Sequence, residues 1–373
     1  MYSATTPHND LPPVPPLVDL ESKAVLKRCA SVRAAITELR VSGELIPDQS
    51  VLINAIPILE AKDSSEIENI VTTNDVLFKA ASLPDDGGDP AAKEALRYRA
   101  AMYQGVRAIT DRPLATRTIV DICRIIKGVE LDIRKTPGTA LRNSHTGETI
   151  YTPPEGEARL RSLLANWERF LNEPSDIDPV VRMAVLHYQF EAIHPFTDGN
   201  GRTGRILNIL CLMQDGLLDQ PTLYMSRHIL RTKGDYYRLL LGVTTDGAWE
   251  AWILYCLTAV EETCLWTVGK VRGVKSLMDA TSEQMRREAP KIHSRELVDA
   301  IFRQPYSRIT HLVDAGLAKR QTASVYLKEL VGVGILEEVK AGREKLFLNR
   351  RYLDLLGSDE HTFPPFAAVG PGP

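Results

Sequence analysis

The chain has 373 residues and a formal net charge of −3; 44% of its residues are hydrophobic and 25% are charged. This composition is typical of a soluble protein of about two or three domains, and it excludes a general electrostatic attraction to nucleic acid. Because the five cysteines form no CxxC pair and no apolar run reaches the ~18 residues of a membrane helix, we expect a cytoplasmic protein with reduced thiols and no membrane partner.

The first part of the chain, residues 1–110, predicts a helical segment that follows an extended arm. The arm is LPPVPP, residues 11–16, which we expect to pack on its own domain; binding to an aromatic groove of a partner is the alternative. A stripe of apolar residues at helical spacing then ends near Gly43. Residues 51–62 predict a second helix, which Pro57 would kink.

The segment KDSSEIEN, residues 62–69, has the pattern of a helix start. Ser64 or Ser65 is a suitable N-cap, because a hydroxyl oxygen accepts a hydrogen bond from the unpaired N–H groups of a first turn. Glu66 and Glu68 would then be acidic first-turn residues that complement the helix dipole. On the pattern alone, a helix is expected to begin here.

The middle of the chain, residues 111–275, predicts a helical core that contains one hairpin. Its last helix is expected to run from Ala248 to about Val274. Between residues 137 and 154, β-branched and aromatic residues flank a turn, HTGE at residues 145–148, which predicts two short antiparallel strands.

The stretch HPFTDGNGRTGR, residues 194–205, lies between two helical patterns and therefore forms a loop that leads into a helix. Gly199, Asn200 and Gly201 lack bulk or tolerate positive φ, so successive backbone N–H groups can turn toward an anion. The unpaired N–H groups and the dipole of the next helix add to the same place. The backbone of this stretch thus predicts an anion site, with Phe196 as the apolar anchor of the loop.

The polar side chains of the same stretch fit a nucleotide. Arg202 and Arg205 share a helix face and suit a forked grip on phosphate oxygens, and Asp198 is a hard oxygen ligand for Mg²⁺. His194 can take a proton near neutrality. Each feature alone has an ordinary interpretation as a turn, a solvated helix face or a structural histidine, but together they predict a phosphate cradle beside a base.

The whole string resembles the Fic family motif HxFx(D/E)GNGRxxR, which it matches at every defined position. The resemblance implies transfer of AMP from ATP to a Ser, Thr or Tyr hydroxyl of a target protein. It also implies that His194 is the general base, that Asp198 is the Mg²⁺ ligand, and that Tyr237, rather than Tyr236, borders the adenine. The implied ATP-binding residues are Glu68, Gly199, Asn200, Gly201, Arg202, Thr203, Gly204, Arg205 and Tyr237.

Two other segments gain a role from this resemblance. Ser64, Glu68 and Asn69 match the family's inhibitory pattern (S/T)xxxE(G/N), which implies that Glu68 pairs with Arg205 and displaces the outer phosphates of ATP. The hairpin is similar to the flap that holds the backbone of the target. The implied flap residues are Arg142, Asn143, Thr149, Ile150 and Tyr151.

The C-terminal part has the order helix, helix, turn, helix, hairpin, which predicts a winged helix over residues 285–356. Residues 291–350 hold eleven Lys or Arg against seven Asp or Glu, a modest excess of positive charge. Such a domain binds DNA or docks proteins, and the charge does not separate the two. The residues expected to face a DNA groove are Lys319, Arg320, Gln321, Thr322 and Ser324.

The sequence thus predicts a mostly α protein: a helical segment with the inhibitory residues, a Fic-type core with a β-hairpin flap, a small α/β winged-helix domain, and a disordered tail over residues 357–373. Three alternatives stay open: transfer of another nucleotide, removal of AMP by the same site, and a DNA-binding regulator that only senses nucleotide. A homodimer is a further open expectation.

Overall fold

The computed structural model describes residues 2–83, 88–143, 146–341 and 344–366. In these ranges the chain is mostly helical, as the sequence predicts. The N-terminal helices are α1 (Lys23–Gly43), α2 (Ser50–Ile67), α3 (Asn74–Ser82) and α4 (Pro90–Asp111). The apolar stripe of α1, predicted from its helical spacing, is buried and packs mainly against the long helix Trp249–Glu288.

The core elements follow in the predicted order. They are α5 (Thr116–Lys127), β1 (Leu141–Arg142), β2 (Thr149–Tyr151), α6 (Glu157–Asn172), α7 (Pro179–Ile193), α8 (Asn200–Gln214), α9 (Met225–Arg231), α10 (Lys233–Asp246) and α11 (Trp249–Glu288). The two strands pair antiparallel, as predicted for the hairpin. Of its predicted turn, residue 145 lies outside the described residues. Since none of the helices in the described ranges has both the length and the apolar character of a bilayer crossing, the structure contains no candidate membrane span there.

The C-terminal region is a small unit with its own sheet. Its elements are α12 (Arg295–Phe302), β3 (Tyr306–Ser307), α13 (Ile309–Asp314), α14 (Arg320–Gly332), β4 (Glu337–Ala341), β5 (Glu344–Leu348) and α15 (Arg350–Gly357). The sheet is antiparallel with the order β3-β5-β4, and the sequence did not predict the two-residue strand β3. At the start of α14, the side chains of Lys319, Arg320, Gln321 and Thr322 are exposed and that of Ser324 is half-buried.

The helix expected to begin at residues 64–65 does not begin there. Ser64 and Ser65 are buried inside the last turns of α2, Glu68 is its C-cap, and Pro57 lies within the helix without ending it. Helix α3 starts only at Asn74, where the hydroxyl of Thr73 accepts from the third N–H. Glu68 therefore lies at the C-terminal end of a helix, where the helix dipole disfavours a negative charge. This position indicates that other partners hold it.

Helix α11 extends beyond its predicted end. It has 40 residues and ends at Glu288, so the expected boundary near residue 275 falls inside the helix. Two interior glycines show what this part of the helix packs against. A Cβ at Gly269 would lie 2.3 Å from the ring of His361, and one at Gly273 would lie 2.6 Å from its carbonyl oxygen.

The expectation of a disordered tail is wrong for residues 358–366. The buried ammonium of Lys270 on α11 donates to the carbonyl oxygens of Leu355, Ser358 and Glu360 at 2.6, 2.7 and 3.0 Å. Three backbone acceptors around one buried donor hold this segment on α11. The rest of the predicted tail, residues 367–373, lies outside the described residues.

The N-terminal arm packs on its own domain, as expected. Leu11 and Val14 are buried, and Asn166 on α6 both donates to and accepts from the backbone of Val14 at 2.8 Å. Farther toward the N-terminus, the ring of Tyr2 stacks on Tyr151 of the hairpin. The arm therefore supports the hairpin from outside.

Candidate active site

Two buried helices present the HPFTDGNGRTGR stretch, as its flanking patterns predict. Helix α7 ends at Ile193, and His194 follows with a φ of 48°, in the left-handed region. Helix α8 begins at Asn200 after Gly199, whose φ is 85°. A non-glycine residue at positive φ is strained, so the surrounding contacts must hold this turn.

The side chain of Asn200 closes the loop. Its Nδ2 donates to the carbonyl oxygen of Phe196 at 2.8 Å, and its Oδ1 accepts from the N–H of Phe196 at 2.9 Å. Phe196 is fully buried, as expected of an apolar anchor. Asn200 therefore gives the anion site only its backbone N–H, because both ends of its amide bind Phe196.

The imidazole of His194 is held in its neutral form. Its Nδ1 is buried and has no hydrogen-bond partner among the described residues. Burial, followed by the positive charge of Arg134, lowers the pKa of His194 to about 4, against the opposing influence of Asp198. A ring that is neutral at neutral pH has a lone pair with which to accept a proton.

Arg205 is buried against the C-terminal end of α2. Its Nε donates to the hydroxyl of Ser64 at 2.8 Å, and its Nη2 donates to the carbonyl oxygen of Ser64 at 2.8 Å and to Glu68 Oε1 at 2.9 Å. The charge of Glu68 contributes to holding the pKa of this buried guanidinium above its ordinary value, against the cost of burial. Ser64 and Glu68 thus meet Arg205, as the sequence pattern implies; Asn69, the third residue of that pattern, follows with a φ of 65°.

Glu68 also binds Arg202, which the sequence did not indicate. Glu68 Oε2 lies 2.8 Å from Arg202 Nε, and Glu94 on α4 pairs with Arg202 Nη1. A Cβ at Gly201 would lie 2.7 Å from Glu68 Oε1, so the carboxylate lies directly over the first turn of α8. No side chain of the described chain caps α8, and the carboxylate lies beside its first turn, where the unpaired N–H groups of a helix N-terminus favour an anion.

Asp198 projects from the loop and is more than half exposed. Lys127 on α5 pairs with its Oδ2, and its Oδ1 accepts from the N–H of Gly199 at 2.6 Å. These contacts outweigh the effect of burial and lower the pKa of Asp198, so the group is a carboxylate at neutral pH.

Asp198 and its neighbours suit Mg²⁺ only when a substrate supplies further ligands. Within the described ranges, no group of three His, Cys, Asp or Glu side chains could hold a metal ion. Mg²⁺ is usually bound by one or two carboxylates together with substrate phosphates. Asp198 therefore fits a metal that arrives with a nucleotide.

The remaining sequence-predicted nucleotide residues differ in accessibility. Tyr237 is 44% exposed, whereas Tyr236 is buried and its hydroxyl contacts Nε2 of His187 at 3.0 Å, so only Tyr237 offers a free ring surface. Thr203 is fully buried inside α8, and a Cβ at Gly204 would lie 2.5 Å from Glu191 Oε1. These two residues face the protein interior, so their side chains do not line an open cleft.

The hairpin residues also differ in how exposed their side chains are. Arg142 and Ile150 are exposed, and Asn143 and Thr149 are half-buried. Tyr151, which was grouped with them as target-facing, is buried, and its hydroxyl donates to the carbonyl oxygen of Ala192 at 2.9 Å. It anchors the hairpin to the end of α7, so its side chain does not face a target, and only its backbone is left for the expected contact.

Three charged residues of this site were missed by sequence reasoning: Glu94, Lys127 and Arg134. Each is a single charge in or after a helical pattern, far in sequence from residues 194–205, where an exposed side chain is the usual interpretation. No local pattern distinguishes them from solvated charges, and only the packing of α4 and α5 on α8 brings them here.

Family models match three parts of the chain. A Fic/DOC family N-terminal model matches residues 26–107, a Fic/DOC family model matches residues 113–212, and the model "Protein adenylyltransferase SoFic-like, C-terminal domain" matches residues 277–352. Together they span the segment that contains Ser64 and Glu68, the HPFTDGNGRTGR stretch and the C-terminal sheet.

Curated relatives are similar over shorter stretches. The chain is 38% identical over 92 residues to "Protein adenylyltransferase fic-1" of Caenorhabditis briggsae, which is 24% of this chain and 17% of the relative. It is 29% identical over 178 residues to "Protein adenylyltransferase Fic" of Drosophila melanogaster, 46% of this chain and 35% of the relative. The matches thus span about a third or less of these relatives.

Solved structures share the fold. A Fic family protein from Desulfovibrio desulfuricans G20 superposes with a TM-score of 0.55 at 21% identity, covering 90% of this chain and 98% of that one. Fic-1 of C. elegans superposes with a TM-score of 0.52 at 21% identity, covering 67% of this chain and 73% of that one. At this identity the likeness concerns the fold.

Proposed function

Since the chain belongs to the Fic/DOC family, we propose that it is a protein adenylyltransferase, which transfers AMP from MgATP to a Ser, Thr or Tyr hydroxyl of a target protein, and that Glu68 inhibits it. The observation that carries the proposal is the position of the Glu68 carboxylate, over the N-terminus of α8 and between Arg202 and Arg205. A carboxylate there occupies a site built for phosphate.

In the active form, His194 takes the proton of the target hydroxyl as that oxygen bonds to the α-phosphorus and the bond to pyrophosphate breaks. Its neutral ring suits this step, because a protonated imidazole could not accept the proton. The first N–H groups of α8 lie where charge develops on the phosphate oxygens. Mg²⁺ held by Asp198 would neutralise phosphate charge, and no other described carboxylate of the loop competes for that role.

Inhibition follows from competition between carboxylate and phosphate for the same guanidinium groups. With Glu68 in place, Arg205 has three hydrogen bonds to α2 and Arg202 is shared between Glu68 and Glu94. Neither arginine is then free to hold the outer phosphates in line with the attacking oxygen. A misplacement of ~1 Å costs about a hundredfold in rate.

The hairpin is the proposed contact for the target. Ile150, which is 38% exposed, and Arg142 present side chains to solvent, while Tyr151 fixes the hairpin to α7. The C-terminal unit is proposed as a docking domain for protein or DNA through the exposed start of α14. Five buried free thiols support a cytoplasmic location.

The test is incubation of the purified chain and its Glu68→Gly variant with each of α-labelled ATP, GTP, UTP and CTP. We expect label on protein from ATP, more with Glu68→Gly, and none with His194→Ala. Because α8 contacts phosphates rather than the base, preferential label from another nucleotide would keep the chemistry and overturn the AMP assignment. Absence of label from every nucleotide with Glu68→Gly would contradict nucleotidyl transfer.

A further inference from the structure

Arg134 lies behind the left-handed turn of His194, in the connection between α5 and β1. It is 4% exposed, and within the described residues the acceptors of its guanidinium are backbone oxygens. Nε donates to the carbonyl oxygen of His194 at 2.8 Å, and Nη2 donates to those of Ile193, at 3.4 Å, and Pro154. The N–H of Arg134 itself donates to the carbonyl oxygen of Pro195 at 2.9 Å.

These four acceptors belong to two separate segments. Three are consecutive carbonyls at the C-terminal end of α7, which have no partner within the helix, and the fourth follows strand β2 of the hairpin. A cation also interacts favourably with a helix C-terminus. Arg134 therefore ties the base of the hairpin to the turn that carries the imidazole.

A buried guanidinium without a carboxylate in ion-pair contact needs an explanation. No ion pair of Arg134 is present within the described part of the chain, and burial lowers its pKa against the opposing effect of the negative charge of Glu155. An unpaired buried charge is costly, so an apolar side chain would stabilise the protein more if the role of this residue were only to fill space. What an arginine adds is a planar fork that reaches several acceptors at fixed angles, together with a permanent positive charge.

We propose, on the basis of the function above, that Arg134 is a positioning residue for the general base: its guanidinium fixes the strained turn at His194 against the hairpin and keeps the imidazole aimed, while its positive charge acts on the ring. The φ of 48° at His194 makes the turn dependent on such external contacts. The other groups that act on this ring are the carboxylate of Asp198 and the backbone at Glu191. Of the groups near the ring, Arg134 supplies the positive charge that favours the neutral form.

The first experiment measures the His194 ring directly and needs no activity. The ring C–H signals are titrated by NMR in the nucleotide-free chain, and the His194 signal is assigned by its loss in His194→Gln. In Arg134→Met we expect the pKa of His194 to rise from about 4 but to stay below its ordinary value, because burial is the larger cause of the shift, whereas Arg134→Lys, which keeps the charge, leaves it unchanged. An unchanged pKa in a folded Arg134→Met variant would overturn the electrostatic part of the proposal.

The second experiment measures self-modification in the Glu68→Gly background. We expect both Arg134→Met and Arg134→Lys to lower the rate at saturating ATP by about tenfold or more, with the ATP concentration for half-maximal rate nearly unchanged, because the fork aligns the base and does not bind phosphate. In Arg134→Met the acid limb of the rate profile moves to higher pH, since a higher pKa protonates the base sooner. A full rate with Arg134→Lys would overturn the role of the fork.

Arg182→Met is the matched control. Arg182 is a buried arginine near the start of α7, the helix that His194 follows, and it pairs with Asp215. Its loss is expected to lower stability without moving the pKa of His194 or the acid limb. Should the Glu68→Gly protein lack transferase activity altogether, the proposed function fails, while the ring titration still decides whether Arg134 acts on His194.

Discussion

Glu68 and Arg205 are 137 residues apart in the chain, and their side chains form an ion pair with 2.9 Å between Oε1 and Nη2. The arginine is 2% exposed, and the pair is supported by the hydroxyl and the carbonyl of Ser64. A buried charge pair of this kind loses much when one partner is removed. The pair therefore holds Arg205 at the C-terminal end of α2, and this is the block on the anion site that we propose.

The first prediction concerns release of this block. Glu68→Gly is expected to raise self-modification about tenfold or more, because Arg202 and Arg205 become available to phosphate. Arg205→Ala in the same background should lower it again, since the released guanidinium is what holds the pyrophosphate. The measurement is incorporation of α-labelled ATP. Glu66→Gly is the control: it makes the same change two residues away, where Glu66 pairs with Lys62, and it should leave the rate at the wild-type level.

A second prediction concerns Lys127, whose ammonium pairs with Asp198. Lys127→Met should lower the Mg²⁺ concentration for half-maximal self-modification in the Glu68→Gly background, because the metal no longer competes with a cation for this carboxylate. A partly exposed pair contributes ~0.2–1 kcal/mol, so a shift of about two- to fivefold is expected. Lys135→Met, which removes an exposed lysine paired with Glu157, is the control. A higher Mg²⁺ requirement would show that Lys127 itself holds phosphate.

The third prediction concerns the hairpin. Tyr151→Phe removes the hydrogen bond to Ala192 and should lower the free energy of unfolding by about 1 kcal/mol. Ile150→Ser, at an exposed neighbouring position, should leave unfolding unchanged and reduce modification of an added protein target. Urea unfolding and target labelling measure the two effects. Equal loss of stability in both variants would contradict the division between an anchor and a contact residue.

The fourth prediction concerns Lys270, which holds three backbone carbonyls on α11. Lys270→Met leaves these acceptors without their donor and should lower the free energy of unfolding by about 2–4 kcal/mol in urea titration. Lys275→Met changes the same helix at a partly exposed lysine paired with Asp279 and should cost under ~0.5 kcal/mol. Similar values for both would mean that the segment after α15 adds little stability.

The loop and its two flanking helices follow from the sequence because their signals are local, whereas the pairing of Glu68 with Arg205 is implied only by the resemblance to the Fic family. Residues 194–205 carry the anion-site chemistry in one stretch, and the inhibitory pattern spans six residues. Helix propensity gave a wrong prediction for this segment. Ser64 and Glu68 are residue types typical of a first helical turn, but they lie at the end of α2.

The other parts of the site could not be predicted, because they depend on how distant helices pack. Glu94, Lys127 and Arg134 become site residues only when α4, α5 and the following loop lie against α7 and α8. The order of residues 358–366 likewise depends on a buried lysine on α11 and on two glycines that make room for His361. Composition alone predicts a disordered tail there, because it contains no information about the surface of α11 on which this segment packs.

The most direct test of the account is the intact mass of four proteins after incubation with MgATP: wild type, Glu68→Gly, His194→Ala and the double variant. The account predicts addition of AMP to Glu68→Gly, little to wild type, and none to either protein that lacks His194. Addition of AMP to the double variant would contradict the role of His194 as the base, and equal addition to wild type and Glu68→Gly would contradict inhibition by Glu68.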